Sequence, residues 1–93
     1  MQFKFSGVIF EWRGPAPFYF IALPDQVADE IKSKSAVLTY GWGVIPVTMQ
    51  IAQMQVTTSL IPRDGGYYLP VKREIRLPLD LQVNQTVEVL LTV

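Results

Sequence analysis

The chain has no cysteine and no histidine among its 93 residues. The first absence removes disulfide frameworks, thiolate nucleophiles and thiolate metal sites together. The second removes Ser-His and Cys-His catalytic pairs and the commonest zinc constellations. A reducing compartment is permitted, and the cytoplasm is the expected location. An excess of one charge is also lacking, because eight Lys and Arg balance eight Asp and Glu, giving a net charge of zero and a pI near 6.1. Such a chain has no global field to attract polyanions or anionic membranes, so nucleic acid is a disfavoured partner. Long apolar runs are missing too. None approaches the roughly 18 residues of a membrane-spanning helix. Met1 to Gly7 carries polar residues at alternate places rather than a signal-peptide core, so neither export nor insertion is expected. Paired carboxylates offer little chemistry: Asp29 and Glu30 are adjacent and point apart, and Asp25 and Asp29 fit a solvated face near a helix start. No enzyme, cofactor or metal site is expected.

What is present is a single globular domain, residues 1–93, with 49% apolar and 17% charged residues. Phe3 and Phe5 alternate with polar neighbours, and the apolar phase then shifts by one across Ser6-Gly7 to Val8, Phe10 and Trp12, which predicts a β-bulge. Gly14-Pro15-Ala16-Pro17 is turn chemistry, and the apolar run Phe18 to Leu23 predicts a strand covered on both faces. Pro24 opens a helix over Asp25 to Ser33, with Val27, Ala28 and Ile31 on one side. Ala36, Leu38 and Tyr40 suggest a strand. Ile45 to Ile51, a turn at Ala52-Gln53, and Met54 to Leu60 make a hairpin. After Gly65-Gly66 and the pair Tyr67-Tyr68, Pro70 suits the start of a helical turn running through Ile75, and Thr86 to Val93 is a last strand. Ala22-Leu23-Pro24 and Tyr68-Leu69-Pro70 each lead from strand to helix, as two β-α units about a pseudo-twofold axis would.

Gly41-Trp42-Gly43-Val44-Ile45-Pro46-Val47, Thr57-Thr58-Ser59-Leu60-Ile61-Pro62 and Tyr68-Leu69-Pro70-Val71-Lys72 followed by Arg76 resemble, in order and over nearly the whole chain, the family called domain of unknown function 1905. The resemblance implies a mainly β fold, a double-split pseudo-twofold barrel. About seven strands, one helix and one short helical turn are expected. Two places depart from the family pattern, with Ala52-Gln53 standing for a glycine turn and Asn84-Gln85 for Gly-Asp. Asn tolerates the left-handed conformation that Gly supplies. Leu69 to Arg76, with Val87-Glu88-Val89 behind it, is also similar to the half-barrel of AbrB and MazE-type regulators, which implies a shared β-α-β unit.

Arg63, Lys72, Arg73 and Arg76 form the one local excess of charge, offset by Asp64 and Glu74. Lys72 and Arg76 are four apart and can share a face, making a small anion site; the bland reading is a solvated surface. Trp42 between two glycines suits either a stacking platform or the closure of a barrel end. Trp12, Phe18 and Phe20 read as core, and Tyr67 and Tyr68 must face opposite sides of a strand. The expected ligand-binding set is Trp42, Arg63, Tyr67, Lys72 and Arg76, in a groove at an open barrel seam. Three functions follow: a non-catalytic module binding a small anionic ligand or a partner; an AbrB-like nucleic-acid-binding regulator; or a scaffold recruiting a protein by strand addition. The pseudo-repeat suits a monomer or weak dimer.

Overall fold

Alternation decides which side chains face inward, and six strands use it to enclose one core. The computed structural model describes residues 1–15, 17–34 and 43–93. In order these form β1 (Gln2–Arg13), β2 (Pro17–Ala22), α1 (Asp25–Ser33), β3 (Ile45–Ile51), β4 (Met54–Arg63), β5 (Gly66–Pro70), α2 (Arg73–Arg76) and β6 (Thr86–Thr92). The strand expected over Ala36, Leu38 and Tyr40, and the candidate Trp42, lie outside the described residues.

The strands close into an antiparallel barrel in the order β1-β2-β5-β4-β3-β6. Exchanging β1 with β4, β2 with β5 and β3 with β6 leaves that ring unchanged, so the two β-β-α-β halves are related by a pseudo-twofold axis in topology. The halves meet along four ladders, and the pseudo-twofold axis passes through the one where β2 pairs with β5, Ile21 opposite Leu69. Both side chains are fully buried, and the backbone bonds flanking them are matched: Leu23 N–H donates to Tyr67 O at 3.0 Å, and Val71 N–H to Tyr19 O at 2.8 Å. Each half then leaves the ladder at its own end. Ala28 and Ile31 of α1 are buried beyond one end and Ile75 of α2 beyond the other.

The barrel core is filled by aliphatic side chains, among them Ile9, Ile45, Met49, Leu60, Val89 and Leu91. β3 shows the cleanest alternation, with Ile45, Val47, Met49 and Ile51 all buried. Truncating one such fully buried side chain to alanine costs about 2–5 kcal/mol.

Several expectations change. β1 has no bulge: its register with β6 runs unbroken from Gln2↔Thr92 to Val8↔Thr86, so Phe3, Phe5, Gly7 and Ile9 keep one phase. Gly7 takes an inward position because a methyl there would overlap Ile21 Cγ2. Val8, Phe10 and Trp12 consequently point outward. β2 is covered on one face only, since Phe18 keeps 52% of its surface exposed. Pro70 ends β5, paired with Phe20, and α2 starts at Arg73. The ring is closed among the described residues, so no open seam is found there.

Turn chemistry follows backbone sign. Asp64 (φ 51) and Gly65 (φ 78) both take positive φ between the paired Arg63 and Gly66, as a two-residue Asp-Gly hairpin requires. Asn84 takes φ 71 where the family pattern has glycine. Ala52 takes φ 53 in the β3–β4 turn, which holds despite the missing glycine because Ile51 and Met54 pair on either side.

An L-residue at Ala52 carries a left-handed penalty of about 1 kcal/mol. Ala52→Gly therefore raises stability in urea unfolding by about 0.5 kcal/mol after the entropy of glycine is counted. Gly7→Ala lowers it by about 1–3 kcal/mol, since the added methyl overpacks against a fully buried Ile21. An unchanged midpoint for Gly7→Ala would show that Ile21 yields without cost.

Candidate functional site

The outward phase of β1, β2 and β5 is unusually apolar for a surface. Opposed residues share a face, so the pairs Phe10↔Phe20 and Trp12↔Phe18 carry aromatic rings outward together. Across the next ladder Tyr68 stands beside the same face, with Pro70 opposite Phe20. The rings touch in sequence. Trp12 and Phe18 have centroids 6.2 Å apart, Phe18 and Phe20 6.4 Å, and Phe20 and Tyr68 5.6 Å. Phe10 meets the edge of Tyr68 at 5.0 Å and 78°. Each such pair contributes about 0.5–1.5 kcal/mol beyond the area it buries, so the rings brace one another. Trp12 stays 40% exposed and Phe18 52%, so one end of the row remains open to ligand or solvent.

This face forms a wall of an open groove of about 780 Å³. The groove lies where β5 passes into α2 alongside the start of β2. Its charged lining is Arg63, Lys72, Arg73 and Arg76, with no carboxylate among the lining residues. Lys72 holds extended backbone (φ −75, ψ 161) ahead of α2, and its carbonyl accepts the Arg76 N–H at 2.9 Å, which draws the two side chains to one corner. The Arg76 guanidinium lies over the Tyr19 ring, 4.1 Å from its centroid. Its Nε is buried and has no hydrogen-bond partner among the described residues. A buried donor left unmade is costly, and stacking of the guanidinium on Tyr19 is the contact that holds it there. Arg63 lies over Trp12 at 5.8 Å. None of these four cations makes an ion pair among the described residues; the pair found there is Arg13 with Glu11 at 3.0 Å, outside the groove.

Tyr68 supplies the polar handle of the aromatic wall. Its hydroxyl donates to Asp64 Oδ2 at 3.1 Å, and that carboxylate raises the phenol above its ordinary ionisation range, so Tyr68 is neutral at physiological pH. Among the described residues no group of three or more carboxylates could hold a metal ion, and no helix among them is long and apolar enough to cross a membrane.

Arg63, Lys72 and Arg76 of the expected set thus line one groove, joined by Arg73. Tyr67 does not line it. Strand parity places Tyr67 with Leu69 on the buried side, where it is 6% exposed and burial raises its phenol, and gives Tyr68 to the groove. Trp12, Phe18 and Phe20 also line the groove, whereas their sequence reading was core. Ile9 carried the missing signal, since continuing the phase of Phe3 and Phe5 through Gly7 to Ile9 leaves Phe10 and Trp12 outside.

No curated protein matches the chain. A family model described as Domain of unknown function (DUF1905) matches residues 5–91. That span covers all six strands apart from the extreme ends of β1 and β6, together with every cation and ring of the groove. The chain belongs to this domain-of-unknown-function family.

Proposed function

We propose that the chain is a non-catalytic binding module whose groove takes a small anionic ligand at the corner formed by Lys72, Arg73 and Arg76, with Arg63 contributing from β4. The observation carrying this reading is the lining itself, four cations and no carboxylate. Guanidinium groups present forked donors that match carboxylate and phosphate oxygens, and a charge-assisted bond of this kind is about twice as strong as a neutral one. The cytoplasm remains the proposed location.

The two other functions have less support. Nucleic-acid binding of the AbrB kind draws on many phosphate contacts, and four clustered cations on a chain of zero net charge supply few. Strand addition needs an unpaired edge, which the closed ring lacks among the described residues.

The test is a calorimetric titration of the chain with inorganic phosphate, citrate and ribose 5-phosphate at low salt, repeated on Lys72→Ala/Arg73→Ala. Both side chains are exposed and make no ion pair among the described residues, so their loss changes stability by no more than about 0.5 kcal/mol. Binding of at least one of these anions, weakened about tenfold or more in the variant, is expected. Equal affinity in both proteins would contradict the site. Asp64→Asn acts in the opposite direction: it removes the neighbouring negative charge at a positive-φ position that Asn accepts. It should strengthen anion binding by up to about fivefold.

A further inference from the structure

The cationic corner accounts for one part of the groove, and the aromatic wall remains without a use. Resting on the anion reading above, we infer that the ligand is a planar aromatic ring joined to its anionic group, of the nucleotide kind: the ring lies on Trp12 and Phe18 while the anion meets Lys72, Arg73 and Arg76.

Three observations carry this inference. Outward positions on a small soluble barrel are ordinarily polar, yet Trp12 and Phe18 are 40% and 52% exposed, directly opposite one another on β1 and β2. Their rings are 6.2 Å apart and tilted by 38°, a platform of two π faces on which a third flat ring can stack, whereas an aliphatic chain gains contact area alone. The same groove also holds the unpaired cations, so the ring surface and the anion corner are available to one molecule, and a volume of about 780 Å³ falls in the range of small-molecule sites.

Charge complementarity selects among occupants. A second copy docking on this face about a twofold axis would bury both sets of four cations in one interface, with no carboxylate from either lining to pair them. A planar ligand carrying negative charge pairs with both halves of the surface. Arg63, 5.8 Å from the centre of the Trp12 ring, can then cover the bound ring or reach its anionic arm.

The experiment compares adenosine 5′-monophosphate, adenosine and ribose 5-phosphate by calorimetry on the full chain, so that ring and anion are separated. The nucleotide is expected to bind at least about tenfold more tightly than ribose 5-phosphate, as one base stacked on aromatic side chains provides. Trp12→Leu and Phe18→Leu keep apolar area while removing the π faces, and each should bring that affinity ratio towards one. Thermal melts confirm that these variants fold, and Phe18→Tyr, which preserves the ring, should keep the ratio. Equal affinity for the nucleotide and ribose 5-phosphate in the natural chain would overturn this inference and leave the anion site standing. No binding of any probe used for either reading would overturn both. Binding of a hexanucleotide without the mononucleotide, or self-association that Trp12→Leu abolishes, would also overturn the inference.

Discussion

The β2–β5 ladder is the contact on which the rest of the molecule depends. With the β1–β6, β3–β4 and β3–β6 ladders it joins the two halves of the chain, here through Ile21 opposite Leu69, flanked by the matched bonds Leu23 N–H to Tyr67 O and Val71 N–H to Tyr19 O. Neither half can close a barrel alone, because each contributes three strands to a ring of six. A cavity at Ile21 or Leu69 would remove a substantial share of the roughly 5–15 kcal/mol that keeps a small domain folded. The ladder also sets the chain's two exits. Leu23 and Val71 are its matched last residues, and beyond them Pro24 leads into α1 at one end and Lys72 into α2 at the other.

The groove is a consequence of that same joint. β2 and β5 turn Ile21 and Leu69 inward, so Phe18, Phe20, Tyr68 and Pro70 must turn outward, and β1 adds Trp12 through its pairing with β2. The exit of β5 then places Lys72, Arg73 and Arg76 against the aromatic face. Tyr19 connects the two regions, since its carbonyl fixes Val71 and its ring carries the Arg76 guanidinium. A neutral chain can in this way gather a local group of cations, because the β4–β5 hairpin brings Arg63 to the groove that Lys72, Arg73 and Arg76 line.

The sequence shows most strands, the helix over Asp25 to Ser33 and the Ala52-Gln53 hairpin because each is written in local periodicity or turn chemistry, while their closure into a barrel is what the family resemblance implies. It also shows the basic cluster, through spacing within one short segment. It does not show which face of the aromatic strands is wet. Phe10, Trp12, Phe18 and Phe20 carry the composition of a core; the phase of Ile9 puts the first two outside, and cross-strand register, a non-local property, sends Phe18 and Phe20 with them. Gly7 misleads for the same reason: it resembles a bulge, yet its role is to make room for Ile21, 14 positions away in the sequence. Tyr67 and Tyr68 differ by parity alone, and Leu69 decides the parity by being buried.

The most direct test of the account is a map of amide and arginine side-chain NMR shifts as adenosine 5′-monophosphate is added to the full chain. The account predicts changes concentrated at Trp12, Phe18, Tyr68 and the segment Lys72 to Arg76, with arginine side-chain resonances moving as their guanidinium groups gain an acceptor. Changes centred elsewhere, such as around Met1, Glu30 and Lys34 at a second depression, with the aromatic face unmoved, would contradict it.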